Sequence, residues 1–168
     1  MVITGYARRV SASLTPWQVI APEVVARGDP ADIAAHCLAA VDAEFAERTR
    51  EGDVLVVDGA LSGGEGAEAA VLALQAVGVA ALICREAAAD LVAAAEAYGL
   101  PVLSLPPAAA HLAEGSLLRL DLERGRLEGD GVTWPFTPPG PATLVRARRA
   151  QALARMRRVV EEEGLAEG

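Results

Sequence analysis

Apolar residues in this chain occur in short continuous runs and in longer segments with helical spacing. Each short run is bounded by turn-forming residues, a pattern typical of a strand that is covered on both faces. Three runs are predicted to be such strands: Val54–Val57, Val79–Cys84 and Pro101–Leu105. Helical spacing and a closing glycine predict helices over residues 67–77 and 86–98. This order predicts parallel strands joined by right-handed helical crossovers.

The residues before this core predict a strand and one long helix. Val2–Val10 is rich in β-prone residues. Asp29 is a predicted N-cap, with Pro30 at the first helical position. Residues 32–50 are then predicted to form a single helix, because apolar residues recur on one face. These residues are Ile33, Cys37, Leu38, Val41 and Phe45.

The pattern changes in the last third of the chain. Apolar and charged residues alternate over Ser116–Glu123, which predicts a half-exposed strand, and Arg126–Trp134 is its predicted hairpin partner. Helical spacing returns over 142–163. We therefore predict an α/β fold with one domain over residues 1–168. It has a small, mostly parallel sheet flanked by helices (core 53–105), a β-hairpin (116–134) and a C-terminal helix (142–163).

Composition narrows the classes of function. All 15 basic residues are arginine, and the chain has neither lysine nor asparagine. A GC-rich genome explains this usage, and avoidance of thermolabile amides in a heat-adapted host is compatible with it. The missing lysine excludes a Schiff-base mechanism and a P-loop lysine. A formal net charge of −8 disfavours binding to nucleic acid or to an anionic membrane.

The cysteines and the hydropathy pattern predict a cytoplasmic protein without a metal site of its own. Cys37 and Cys84 are far apart in sequence and cannot by themselves ligate an iron–sulfur cluster or a four-ligand zinc ion. Two such thiols favour a reducing compartment. No leader-like segment and no uncharged apolar run of about 18 residues is present.

A glycine-rich loop between the first core strand and its helix is the candidate ligand site. Free N–H groups and the helix dipole at such a position favour an anion, for example a small carboxylic acid. Glu65 opposes this, because its carboxylate would repel an anionic ligand. A plain strand-to-helix connection and a dinucleotide site using Gly64 and Gly66 are the alternatives. The candidate site residues are Ser62, Gly63, Gly64, Glu65, Gly66 and Glu68.

The predicted C-terminal helix is basic and offers a second candidate surface. Arg146, Arg149 and Arg155 are candidates for docking an acidic protein partner. The alternative is a solvated helix face whose arginines are balanced by the glutamates at 161–163.

Several short segments, taken in order, resemble the small subunit of 3-isopropylmalate dehydratase, the swivel domain of the aconitase superfamily. Each segment is weakly specific, and their shared order and spacing along nearly the whole chain carry the resemblance. The matching segments are Gly5–Ala7 and Gln18–Pro22 ("G-x-A" and "I-I-P"), Phe45–Asp53 ("EFA…GD"), Ala70–Val79 ("AL-x-x-x-GV"), Gly99–Leu103 ("NGLPVL") and Leu120–Gly125 with Trp134–Phe136 (the terminal hairpin).

The chain departs from this family where the family binds its substrate. The family loop has the pattern N-F-G-C-G-S-S-R-E-H-A, whose serine–arginine pair grips a substrate carboxylate. Aligned without gaps, this chain has Glu65 and Gly66 in place of the serines and Ala67 in place of the arginine. Gly64 and Glu68 match. Both arginines of a following family helix are also missing over residues 87–94.

The resemblance implies a hydro-lyase subunit of leucine biosynthesis that pairs with a large subunit carrying a 4Fe–4S cluster. The altered loop predicts little or no dehydratase activity. One alternative is an active small subunit of an isopropylmalate- or homoaconitate-type hydro-lyase with a different substrate. Another is a stand-alone structural or regulatory docking module. Self-association is the alternative to a large-subunit partner.

Overall fold

The computed structural model describes residues 1–167, which form a single seven-stranded sheet with helices on both faces. The strand order is β4-β3-β2-β1-β5-β6-β7. The strands are β1 (Val2–Val10), β2 (Val54–Leu61), β3 (Ala81–Ala87), β4 (Val102–Ser104), β5 (Leu117–Asp121), β6 (Arg126–Gly129) and β7 (Val132–Pro135). The helices are α1 (Pro16–Val19), α2 (Pro22–Arg27), α3 (Pro30–Ala35), α4 (Phe45–Arg48), α5 (Ala67–Val77), α6 (Ala89–Ala97), α7 (Pro106–His111) and α8 (Pro141–Glu167).

β1 joins a parallel half of the sheet to an antiparallel half. Its residues 7–10 pair in parallel with β2, and its residues 2–6 pair antiparallel with β5. β2, β3 and β4 pair in parallel, whereas β5, β6 and β7 form an antiparallel meander. The predicted α/β fold with its hairpin and C-terminal helix is therefore confirmed, and the hairpin extends the main sheet.

The core strands are covered on both faces, as their continuous apolar runs predict. In β2, Leu55 and Val57 face a core formed with α5, α6 and the N-terminal helices. Val54 and Val56 face the opposite core, which lies under α7 and continues below the hairpin. All four side chains are fully buried. This two-sided burial holds the carboxyl end of β2 in a fixed position below the glycine-rich loop.

The predicted single helix over 32–50 is wrong. α3 begins as predicted, with the Asp29 carboxylate accepting from the Ala31 N–H at 3.0 Å, but it ends at Ala35. Leu38 has a left-handed backbone (φ 58°) and donates its N–H to the Val19 carbonyl at 2.7 Å. The left-handed conformation costs about 1–2 kcal/mol, which complete burial of a leucine side chain, worth about 1.5–3 kcal/mol, offsets.

Strands and helices near the site also differ from their predicted bounds. β2 continues to Leu61 because Leu14 pairs alongside it, donating to the Ala60 carbonyl at 2.9 Å. β3 continues to Ala87, so Glu86 lies in a strand and α6 begins only at Ala89. The predicted hairpin partner 126–134 is two strands, because the chain turns at Asp130 and Gly131. These extensions shorten the glycine-rich loop to residues 62–66.

Candidate functional site

The loop 62–66 lies at the carboxyl edge of the parallel strands, where open α/β sheets bind ligands. It connects β2 to α5, which starts at Ala67 after a left-handed Gly66 (φ 87°). The loop is tied at its start, where the Ser62 N–H donates to the Leu14 carbonyl at 3.0 Å. The Ser62 hydroxyl donates to the same carbonyl at 3.3 Å. The position fits a ligand site, while Ser62 is engaged in holding the loop.

A carboxylate of the chain itself occupies the loop. Asp90, in the first turn of α6, accepts a hydrogen bond from the Gly64 N–H at 2.6 Å. Its other oxygen accepts from the Leu91 N–H at 3.0 Å. The carboxylate therefore lies between the start of α6 and the loop that leads into α5, where the helix dipoles favour negative charge. Asp90 therefore accepts the Gly64 N–H hydrogen bond that an anionic ligand would otherwise accept.

Gly63 is also closed off by Asp90. A Cβ atom at Gly63 would collide with the Asp90 carboxylate. The space beside this glycine is thus filled by the protein.

Trp17 covers the other side of the loop. A Cβ atom built on Gly66 would lie 2.9 Å from the indole ring of Trp17. Trp17 is half-buried in α1, where Thr15 and Gln18 form a capping box. Gly66 therefore has two reasons to be glycine, the left-handed backbone and the close approach of an aromatic ring. A serine at this position would need Trp17 to move.

The remaining candidate residues of the loop do not converge on a ligand position. Glu65 is exposed and, within residues 1–167, makes no hydrogen bond or ion pair. Glu68 is one turn further along α5 and accepts a hydrogen bond from the Tyr98 hydroxyl. That bond holds the pKa of Tyr98 above its usual value. Of the predicted site residues, Gly63, Gly64 and Gly66 are brought against Asp90 and Trp17, whereas Glu65 is exposed and Glu68 is bonded to Tyr98.

An arginine–aspartate cluster at the same sheet edge escaped the sequence analysis. Asp58 in β2 bridges two guanidinium groups, Arg85 at 2.5 Å and Arg9 at 2.7 Å. The hydrogen bond from Arg85, reinforced by Arg9, holds the pKa of Asp58 below its usual value. Arg9 also donates to the carbonyls of Ala109 and Leu112. No sequence spacing links these residues, because three separate strands and α7 bring them together.

The charges around the loop are mostly negative. Glu65 lies in the loop, and Asp90 accepts a hydrogen bond from the loop. Glu86 is the strand partner of Ala60 at the base of the loop. Arg85 is bonded to Asp58 and belongs to the cluster beside α7. A dicarboxylate would therefore meet repulsion at the loop, since like charges at short range oppose each other.

The site offers no set of donors for a metal cluster. Cys37 and Cys84 are both buried and lie on separate elements. Burial raises the pKa of the Cys37 thiol to about 12. Among the described residues no group of three or more His, Cys, Asp and Glu side chains could hold a metal ion. These residues do not fit an iron–sulfur cluster.

The predicted docking arginines all lie on α8. Arg146 is half-buried and donates from Nε to the Glu96 carbonyl at 2.8 Å, so it anchors the helix. Arg149 and Arg155 are exposed. None of the helices described in residues 1–167 combines the length and hydropathy needed to cross a membrane.

Comparison with known proteins gives a consistent set of relatives, although no protein-family model matches the chain. The 3-isopropylmalate dehydratase small subunit of Moorella thermoacetica is 29% identical over 143 residues, 84% of this chain and 86% of that protein. The protein of the same name from Nautilia profundicola is 30% identical over 139 residues, 82% and 83% of the two chains. The 2,3-dimethylmalate dehydratase small subunit of Eubacterium barkeri is 33% identical over 97 residues, 58% and 60% of the two.

A solved structure shares the fold. A crystal structure of 3-isopropylmalate dehydratase from Methanocaldococcus jannaschii superposes with a TM-score of 0.75. The match covers 98% of this chain and 99% of that one, at 24% sequence identity. The seven-stranded mixed sheet with its flanking helices is therefore the same architecture in both chains.

Proposed function

Because this chain belongs to the family of 3-isopropylmalate dehydratase small subunits, we propose that it pairs with a hydro-lyase large subunit while its own substrate loop is closed. In this proposal it has little or no dehydratase activity. Any 4Fe–4S cluster belongs to the large subunit, since the buried thiols of this chain do not fit one. The setting implied by the relatives' names is leucine biosynthesis.

One observation supports the proposal that the loop is closed: the Asp90 carboxylate accepts a hydrogen bond from the Gly64 N–H at 2.6 Å. A carboxylic-acid substrate needs that kind of donor, together with a guanidinium or hydroxyl group, to be held firmly. Here the N–H is already engaged, and Ala67 stands where the resemblance places an arginine. Trp17 against Gly66 and the exposed carboxylate of Glu65 oppose the same ligand.

The pairing is tested by co-purification. A tagged dehydratase large subunit from the same host is co-expressed with this chain, and we expect a stable complex to elute. The matched control is the same large subunit with its regular small subunit. If both proteins are folded and never associate while the control pair does, the pairing is contradicted.

The closed loop is tested by titrating the isotope-labelled chain with 2-isopropylmalate. We expect the amide signals of Gly64 and Glu65 to stay in place up to about 10 mM ligand, because only weak binding, above about −3 kcal/mol, is available. Sodium sulfate at equal ionic strength is the control. A saturable shift of these amides, specific to 2-isopropylmalate, would contradict the proposal.

A second candidate is an active small subunit with a different hydroxy acid as substrate, and Arg85 favours it. Its guanidinium is half-exposed at the sheet edge, and its contact among residues 1–167 is with Asp58 through Nε. The Eubacterium barkeri relative is named for a different substrate, 2,3-dimethylmalate. Turnover of such an acid by the complex, with a higher KM in R85A, would select this candidate.

A further inference from the structure

The C-terminal helix α8 and the body of the domain form an open groove between them, which we call the α8 groove. Its volume is about 1100 Å³. Leu153, Met156 and Val160 line it from α8. Leu72 and Val79 line it from α5 and the turn that follows α5. Both walls of the groove are therefore largely apolar.

The groove stays open because α8 is fixed to the domain only near its start. Arg146 donates from Nε to the Glu96 carbonyl at 2.8 Å, and a Cβ atom on Gly99 would collide with the Arg146 carbonyl. Further along α8, Met156 and Val160 line the groove and are still 63% and 67% exposed. Folding of the chain alone thus leaves apolar walls in water, a property typical of interaction sites.

The charges that border the groove are mainly positive. Five arginines and two glutamates of the described chain line it, whereas the whole chain has a net charge of −8. Within residues 1–167, Arg149 and Arg155 form no ion pair. The groove therefore offers guanidinium groups to an acidic partner, which they attract electrostatically.

The two glutamates of the groove, Glu51 and Glu161, lie close to two other arginines. Partial desolvation raises the pKa of Glu51, and the charges of Arg157, Glu161 and Arg158 also act on it. The acidic side chains are thus accompanied by positive charge at their own part of the groove. Arg149 and Arg155 remain to pair with an incoming carboxylate.

The groove lies at the opposite end of the parallel strands from the glycine-rich loop. Gly52, Ala80 and Leu100 line it, and they precede β2, β3 and β4. The loop 62–66 follows the carboxyl end of β2. A partner seated in the groove therefore leaves the loop edge of the sheet uncovered.

We propose that the α8 groove docks an amphipathic, acidic segment of the hydro-lyase large subunit, an inference that rests on the proposed function. The apolar side of this segment packs against the apolar walls, and its carboxylates pair with Arg149 and Arg155. α8 lines the groove from Arg146 to Glu161, a rise of about 23 Å. A partner helix of about four turns spans that length.

A protein segment fits the groove better than other ligands of similar chemistry do. Sites for small molecules have volumes of about 300–1000 Å³ and bury most of the ligand surface. The α8 groove is larger, and its helical wall is exposed. The net charge of −8 disfavours an anionic membrane, and it opposes association with a second copy of the same charge.

Biolayer interferometry of the full chain against the large subunit of the same host tests the groove. We expect R149E/R155E and M156E each to raise Kd by about 10-fold or more, because each brings negative charge against an acidic segment. R149K/R155K keeps the positive charges and is expected to recover most of the affinity. R119E/R126E, on the hairpin, is the matched charge-reversed control and is expected to bind like wild type. Circular dichroism checks that each variant is folded.

Photo-crosslinking in the same complex identifies the occupant. Benzoylphenylalanine is placed at position 156 in the groove and, as a control, at position 117 on β5, where Leu117 is exposed. We expect position 156 to cross-link to a large-subunit peptide that contains apolar residues together with Asp or Glu. Position 117 is expected to give little of this product.

Several results would overturn the inference. Wild-type affinity in both R149E/R155E and M156E would do so while leaving the pairing with the large subunit intact. Equal losses in R149K/R155K and R149E/R155E would show that charge does not attract the partner. Cross-linking of position 156 to a second copy of the chain, or to a basic peptide, would assign the groove to another occupant. A wild-type chain that never pairs with the large subunit would contradict both this inference and the proposed function.

Discussion

Asp90 closes the loop with one carboxylate that accepts two backbone N–H groups. One belongs to Gly64 and the other to Leu91, so the side chain stabilises the start of α6 and the approach to α5 together. A hydrogen bond to a charged acceptor is worth about 1.5–3 kcal/mol when buried and less at an exposed position. The contact is local, and its removal should loosen the loop without unfolding the domain.

Removing this carboxylate should expose the Gly64 amide to solvent. In D90A we expect hydrogen exchange at Gly64 to be about 10-fold faster, equivalent to about 1.4 kcal/mol of lost protection. Two-dimensional NMR measures the exchange rate. E65A removes a neighbouring carboxylate that makes no hydrogen bond or ion pair within residues 1–167, and it should leave the rate unchanged. Equal rates in D90A and wild type would mean that Asp90 does not hold the loop.

Trp17 and the left-handed backbone of Gly66 together disfavour any side chain at this position. G66A combines a left-handed strain of about 1–2 kcal/mol with a clash against the indole ring. G64A has a similar backbone (φ 96°) and open space, so it should carry the strain alone. We expect G66A to lower the free energy of unfolding in urea by more than G64A does.

The double variant separates these two causes. W17A in the G66A background should remove the clash, so the two substitutions should cost less together than the sum of their separate effects. Strict additivity would show that the ring does not constrain Gly66.

Sequence reasoning identified the loop residues and missed their partners. The glycines and Glu65 were visible because the loop follows a strongly apolar strand. Asp90 is 26 residues from Gly64, and Trp17 is 49 residues from Gly66. Nothing in their local sequence signals a contact over that separation, which only the tertiary fold creates.

At the scale of elements, the ends of β1, β2 and β3 place charged groups at one edge of the sheet. Asp58 lies between Arg9 and Arg85, and its pKa is lowered chiefly by the hydrogen bond from Arg85. A carboxyl group with a lower pKa in the folded state contributes stability above the unfolded pKa of about 3.9. That contribution is lost as the pH falls through the folded pKa.

Removing Arg85 should therefore raise the Asp58 pKa towards its ordinary value. Carbon-13 NMR of the carboxyl group across the acid range measures the shift in R85A. R126E, a variant on the distant hairpin, is the control and should leave the titration in place. A titration of R85A identical to that of wild type would contradict the assigned cause.

The bounds of some helices and strands can be predicted from the sequence better than those of others. The bounds of α5 at 67–77 are confirmed because periodicity and the closing Gly78 agree. The end of α3 before Leu38 was not predicted, because the apolar residues on either side of Leu38 keep the spacing of a helix. The chain leaves the helical path there because the Leu38 N–H donates to the Val19 carbonyl. The sequence Asp130-Gly131 is a typical hairpin turn. Residues 126–134 were nevertheless predicted to be one strand, because apolar and polar residues alternate on both sides of that turn.

At the scale of the whole molecule, the fold is that of a solved 3-isopropylmalate dehydratase chain, and the glycine-rich loop between β2 and α5 is contacted by Asp90 and Trp17. The chain superposes on a solved relative over 98% of its length at 24% identity. The apolar core tolerates such divergence, because similar volumes and patterning suffice for a shared fold. A loop that binds a carboxylate depends instead on a few particular donors, and in this chain the Gly64 N–H is bonded to Asp90.

The most direct test of this account is the turnover of 2-isopropylmalate by this chain in complex with a large subunit. The reference is the Moorella thermoacetica dehydratase with its regular small subunit, assayed at equal concentration of complex. We predict that the complex forms and that its kcat/KM is lower by about 100-fold or more, the scale expected when a charge-stabilising donor is lost. A complex that forms and turns over 2-isopropylmalate within about 10-fold of the reference, a gap of only about 1.4 kcal/mol, would contradict the closed loop.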